Sequence, residues 1–270
     1  MTTTPRRPQR TPETTTPTCL VPETLTSRGF GVRALGPLSA VPLDGAEPAL
    51  RALWDRMTTG LSWLTPQLDH RAYVTHGPPH RMRSRSSAEL TRLGTARGVE
   101  TETSRQWSGS IDVAPAGSTY RYVGGGWTVP DRRAEGADGC HDTAEWVGLD
   151  GWSFADVLQA GTGTHVIGTP FFCFTHTYAW WEWWPVGEVA IRNLPVSPGD
   201  AMWCLICADT PTGTTVTVTN QTRGLGACVE ITPPSDRSLV ASVAEWIVER
   251  PTVGGPAGAT GCLFEDSAAG

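Results

Sequence analysis

Lysine is absent from the chain, so all 21 basic side chains are arginine. Charge of either sign is scarce, at 18% of residues. No stretch stays apolar for the roughly 20 residues that a membrane-spanning helix needs, so no membrane partner is expected. The start of the chain lacks the apolar core of a secretory signal. Arg6 and Arg7 are followed by P-Q-R-T-P-E-T-T-T, which points to a cytoplasmic chain as written. Helical periodicity is missing beyond residue 105, which argues against an α/β fold. A dense disulfide framework is missing too. The seven cysteines (Cys19, Cys140, Cys173, Cys204, Cys207, Cys228 and Cys262) are odd in number and widely spaced. Cys204-x2-Cys207 and Cys173-x2-His176 have the spacing of zinc half-sites. A-M-W-C-L-I-C-A reads as a buried strand, however, and residues three apart in a strand face opposite ways. A zinc knuckle would need a turn there, and no Gly or Pro supplies one. One or two disulfides, or ordinary buried thiols, are expected, and no metal or cofactor.

What is present in quantity is glycine (30) and proline (22), the composition of many short strands and turns. Charge is unevenly placed. Residues 1–105 hold 14 Arg against 9 acids, a net of +5, and residues 106–270 hold 7 Arg against 18 acids, a net of −11. The acidic part has little with which to neutralise phosphates, so nucleic acid is not expected as a partner. The basic part is either a loose tail or a leader docked on the acidic part by charge; if docked, it would cover an acidic cleft and lower activity. The organisation expected is a leader over residues 1–103 and a β domain over residues 104–270. Residues 1–17 read as disordered. One helix is expected over 45–63, with Leu50, Leu53, Trp54, Met57, Leu61 and Leu64 at helical spacing. Asp44 would cap it, and Pro48 lies in its first turn. Residues 65–104 read as a linker.

From Arg105 onward, ten to twelve short strands follow at regular spacing, which predicts an all-β sandwich. Q-W-S-G-S-I-D-V is the first. T-Y-R-Y-V-G-G-G-W-T-V-P is the second, its three glycines suggesting a bulge or bend. T-T-V-T-V-T and A-C-V-E-I-T form a hairpin across N-Q-T-R-G. The most informative stretch runs from Trp146 to Pro185. Strand alternation puts Tyr178, Trp180, Glu182 and Trp184 on one face and Trp181 and Trp183 on the other. In A-E-W-I-V-E, Glu245, Ile247 and Glu249 share a face. A Glu flanked by tryptophans suggests an aromatic-walled groove floored by polar groups, namely Asp150, Gln159, Glu182 and Glu249.

Seven motifs occur in order: W-S-G (Trp107–Gly109), G-G-W-T-V-P, E-W-V-G-L-D-G, V-L-Q-A-G, A-W-W-E-W-W-P, P-G-D and A-E-W-I-V-E-R. Over residues 105–251 this pattern resembles the glutamic peptidases, the eqolisins, known from acid proteases of filamentous fungi. The resemblance implies a concanavalin A-like sandwich, a jelly roll of two large antiparallel sheets. It also implies a catalytic Gln–Glu pair, which falls here on Gln159 and Glu249. Other cleft positions of the family fall on Trp146, Asp150, Trp180, Glu182 and Trp184. The fungal relatives are mostly secreted. The sequence departs from the fungal pattern at Gly163 and Tyr178, where aspartates are usual, at Trp181 and Trp184, where tyrosines are usual, and at Pro251, where Phe is usual.

The expected chemistry is hydrolysis of a polypeptide by a monomeric, metal-independent enzyme at acidic pH. Glu249 would take a proton from water and return it to the leaving amine, and Gln159 would donate to the oxyanion. Taken singly, Gln159 could instead serve neighbouring backbone, Asp150 a turn, Glu182 the cleft's shape, and the tryptophans the core. Two other readings compete. One is a catalytically inactive carbohydrate- or peptide-binding sandwich. The other is a glycoside hydrolase pairing Glu182 with Glu249, which requires a carboxyl separation of about 5–9.5 Å.

Overall fold

The computed structural model describes residues 19–36, 47–76, 103–133, 139–152, 156–168, 173–210 and 213–253, with a few isolated positions besides. In chain order the elements are α1 (Glu23–Thr26), β1 (Gly31–Ala34), α2 (Pro48–Thr58), β2 (Ser62–Leu64), β3 (Leu68–Arg71) and β4 (Val74–Thr75). Then come β5 (Trp107–Val113), β6 (Tyr122–Thr128), β7 (Gly139–Asp150), β8 (Val157–Gly168), β9 (Cys173–Trp184) and β10 (Glu188–Pro195). The chain continues through β11 (Ala201–Thr210), β12 (Gly213–Asn220), β13 (Leu225–Thr232), β14 (Val243–Glu249) and β15 (Thr252–Val253).

These strands form the expected sandwich. One sheet has the order β3-β10-β9-β8-β7-β14-β5; the other runs β1-β13-β12-β11-β6, with β2 also on β13. Pairing is antiparallel except where β2 runs parallel to β13. Alternation decides which side chains fill the space between the sheets. From the first sheet come Val147, Leu149, Leu158, Ala160, Trp181 and Trp183, and from the second Met202, Cys204, Ile206, Val216, Val218 and Val229, all buried in one cluster. Fully burying one such aliphatic side chain stabilises by about 1.5–3 kcal/mol. Cys204 faces this core and Cys207 a second cluster on the opposite side of β11, as residues three apart must. Cys140 is disulfide-bonded.

The three consecutive glycines make no bulge. Gly124, Gly125 and Gly126 pair in unbroken register with Leu205, Cys204 and Trp203. They are small because other side chains lie over them. A Cβ on Gly126 would sit 2.4 Å from the Trp203 ring, and one on Gly124 would sit 2.7 Å from Leu53.

The boundary expected at residue 104 is not a boundary of the fold. β1 and β2 lie along β13 and β3 lies along β10, so the segment before it supplies edge strands to both sheets. An edge strand satisfies backbone N–H and C=O groups that the sheet would otherwise leave open. The expected helix over 45–63 is shorter, at Pro48–Thr58. It stops before Gly60, whose φ of +78° carries the chain out of helical geometry into β2. The expected Asp44 cap and disordered tail lie outside the described residues, and the expected linker contains β3 and β4.

Helix α2 packs Leu50, Trp54 and Met57 against Leu205, Cys207 and Cys228 on the outer side of the second sheet. Trp54 also stacks on Trp63, ring centroids 5.7 Å apart. Trp54→Ala is therefore expected to cost about 3–5 kcal/mol in urea unfolding. An unchanged midpoint would mean that α2 is a passenger rather than part of the cooperative unit.

Candidate active site

The face of the first sheet that points away from the sandwich core carries the polar groups. Cross-strand register brings them together. Gln159 lies opposite Glu182 on β9 and Gly148 on β7, and Glu249 lies opposite Ala144 on β7 and Trp107 on β5. Gly161 lies between Trp146 and Trp180. A Cβ there would lie 2.7 Å from that of Trp146 and 2.1 Å from the Glu145 carbonyl, so only glycine lets Trp146 settle onto the sheet. Gly163 and Tyr178 are cross-strand partners, and the Tyr178 ring occupies the space that a side chain on Gly163 would fill. The two departures from the fungal pattern at these positions are thus complementary.

The key side chains are almost fully enclosed. Gln159 and Glu182 are 0% exposed and Glu249 is 2% exposed. Trp146 donates its indole N–H to Glu249 Oε2 at 2.8 Å, and Glu249 Oε1 has no hydrogen-bond partner among the described residues. Gln159 donates its amide to Glu182 Oε2 at 3.2 Å. The other Glu182 oxygen accepts the Gly187 N–H at 3.2 Å. Burial pushes the Glu182 carboxyl up to about 7, against the opposing pull of His76.

One residue from before the expected boundary sits at the centre of this site. His76, 0% exposed, follows β4, which pairs with β15 just after the Glu249 strand. The His76 backbone N–H donates to Glu182 Oε2 at 2.8 Å, and its carbonyl accepts from the Gln159 amide. Its ring lies flat on Trp180, centroids 3.7 Å apart and planes 8° apart. Imidazole Nε2 is 2.8 Å from Glu188 Oε2, and Nδ1 is 3.5 Å from Glu249 Oε2, an ion-pair contact rather than a hydrogen bond. Burial works against the imidazolium charge, but Glu188 and Glu249 outweigh it and raise the His76 pKa to about 10.

Glu188 is itself 0% exposed and takes the Tyr178 hydroxyl at 3.0 Å and Arg71 Nη1 at 3.4 Å. Burial, reinforced by Glu188, pushes the Tyr178 phenol well above its ordinary value, so it remains a donor.

Of the residues expected in the cleft, Gln159, Glu182, Glu249, Trp146 and Trp180 come together. Asp150 does not. Its Oδ2 accepts from the N–H groups of Val240 and Ala241 at 2.8 and 2.7 Å, and its Oδ1 from Ser242 at 3.0 Å. It clasps the loop before β14, and burial, partly countered by these bonds, raises it to about 6. Trp184 sits beyond Glu182 at the same end, opposite Val157, which in turn faces Asp150.

Sequence reasoning missed Glu188, His76 and the donor role of Tyr178. A lone acid in the apolar run E-V-A-I was a signal for Glu188. Nothing in Y-V-T-H-G-P-P singled out His76. Among the described residues, no group of three or more His, Cys, Asp or Glu side chains is arranged to hold a metal ion.

Scytalidopepsin B of Scytalidium lignicola is 31% identical over 145 residues, covering 53% of this chain and 50% of that protein. Aspergillopepsin-2 of Aspergillus niger is 27% identical over 170 residues, covering 55% and 56%. The chain therefore spans about half the length of the curated relatives it matches. Scytalido-glutamic peptidase, solved with a peptide-based transition state analog, is 27% identical with a TM-score of 0.44, covering 53% of this chain and 64% of that one. Aspergilloglutamic peptidase from Aspergillus niger is 27% identical with a TM-score of 0.36, covering 40% and 62%. The family model for the Peptidase A4 family matches residues 105–263, more than half of the chain and every strand from β5 to β15, and this chain belongs to that family.

Proposed function

We propose that this chain is a glutamic-type endopeptidase in which Gln159 and Glu249 act on a peptide carbonyl. The observation that carries the reading is His76. Both backbone polar groups of this one residue are bound, the N–H by Glu182 and the C=O by the Gln159 amide, with Glu249 at the same residue. A surface that engages an amide N–H and its own carbonyl together is built for polypeptide rather than sugar.

In the proposed reaction, Glu249 removes a proton from water, which adds to the carbonyl carbon. Gln159 donates to the oxygen as it becomes negative, and Glu249 passes the proton to the departing amine as the C–N bond breaks. A neutral amide donor does not titrate, so this half of the site works in acid. Glu182 has both oxygens engaged by N–H donors, which supports a positioning role over paired-carboxylate chemistry on a glycosidic bond.

The leader makes the full chain latent in this reading. His76 fills the site, with its carbonyl on the Gln159 amide and its N–H on Glu182. β1 and β3 are strands of the two sheets, so deleting the leader would damage the fold, and a substitution at His76 is the cleaner probe.

Hydrolysis of a denatured protein should be followed from pH 2 to 7 with inhibitors of aspartic and metal-dependent proteases present. His76→Ala is expected to cut faster than wild type, and equal rates at every pH would remove the latency. In the His76→Ala chain, Glu249→Gln should lose roughly 10²–10⁴-fold. Gln159→Ala should lose roughly 10²–10³-fold. Cleavage surviving both substitutions would place the chemistry elsewhere.

The His76 contact also has a pH signature. Its folded pKa of about 10 lies above the ordinary 6.5, so its stabilisation is present in full below about pH 6.5 and is lost as pH rises from there through about 10. The Tm difference between wild type and His76→Gln should shrink over that window; a constant difference would mean that the charge on His76 contributes nothing.

A further inference from the structure

We propose that Glu188 and Trp180 form a subsite selecting a histidine side chain on the residue whose carbonyl faces Gln159, so that this peptidase cuts after histidine. The inference rests on the peptidase reading and deepens it by naming the substrate class.

His76 occupies the place of a substrate residue, because its carbonyl meets the oxyanion donor and its N–H meets Glu182. Whatever holds its side chain is therefore the pocket for the acyl-side residue of the bond to be cut. That pocket suits an imidazole in three independent ways. Its floor is the flat indole of Trp180, with the His76 ring parallel to it at a stacking distance of 3.7 Å. Its end is the buried carboxylate of Glu188, 2.8 Å from Nε2. Its near side is Glu249, 3.5 Å from Nδ1. A flat ring with nitrogens on opposite edges meets all three at once.

A phenyl ring would stack but would offer Glu188 no ring N–H, leaving the buried carboxylate only Tyr178 and Arg71. Lysine offers no flat face and has one charged group for two separated carboxylates. Glu188 is pre-positioned by the Tyr178 hydroxyl at 3.0 Å. Tyr178 can lie there because residue 163 is glycine. Arg71, a further partner of Glu188, is on β3 of the same sheet and stays in place when residue 76 is changed.

The test uses the full chain carrying His76→Ala, with His76→Asn as the polar alternative, so that the subsite is not filled from within. Cuts in a mixed peptide library are mapped by mass spectrometry, and kcat/KM is measured for matched peptides with His, Phe, Lys or Gln before the cut. Histidine is expected to be enriched at that position. Glu188→Gln in the same chain is expected to lower kcat/KM for the histidine peptide at least about 30-fold. The phenylalanine peptide should change by less than about 3-fold, within the range of ordinary indirect effects.

Cleavage without histidine enrichment, or an equal loss on both peptides, overturns the subsite and leaves the peptidase reading standing. If no peptide is cut, the peptidase reading fails and the subsite is judged by binding. The tripeptide Val-Thr-His, the sequence of residues 74–76, should then bind at least about 10-fold tighter than Val-Thr-Phe. Equal binding overturns the subsite. The ligand series needs no Glu188 variant, so a folding defect in Glu188→Gln does not decide the outcome.

Discussion

A carboxylate laid on a tryptophan-walled sheet face cannot stay there unless N–H donors reach it, and this constraint organises the first sheet. Burying an unpaired charge costs several kcal/mol, so each acid on the face is tied down. Glu249 takes the Trp146 indole, Glu182 takes Gly187, Gln159 and His76, and Glu245 takes the Trp152 N–H. Gln159 is the exception in kind, an amide among acids. It can donate to one neighbour's carboxylate and to a peptide carbonyl without carrying charge.

The same constraint explains why the leader belongs to the fold. Glu188 and Glu249 face each other across the site with few donors of their own. His76 supplies a shared cation to both, and Arg71 supplies a second to Glu188. The +5 and −11 split of the two parts of the chain thus resolves into local contacts as well as a diffuse field. The anchoring is geometric too. β3 extends the first sheet beyond β10, and β4 meets β15 beside Glu249, so His76 is held from both ends of the face.

How far the molecule could be read in advance differs from residue to residue. The alternation Tyr178/Trp180/Glu182 against Trp181/Trp183 was legible, because a strand's side-chain period of two allows no other assignment once the strand is accepted. The triple glycine was misread as a bend, since a bulge and a close-packed neighbour both ask for a missing Cβ. Nothing local to Gly124–Gly126 reveals that Leu53 and Trp203 lie above it. Asp150 was expected in the cleft, but φ at 68° turns the chain there, and both of its oxygens take the loop at 240–242 instead.

By itself, the sequence determined the strand-and-turn class, the faces of the central strands and the common side shared by Glu245 and Glu249. These follow from periodicity, which is local. The tertiary structure alone decided that Gln159 and Glu249 share one site, because they lie on strands separated by β7 and meet only through sheet register. It alone placed His76 between them and Glu188 against its ring, since contacts over more than 80 residues of chain leave no trace in local spacing.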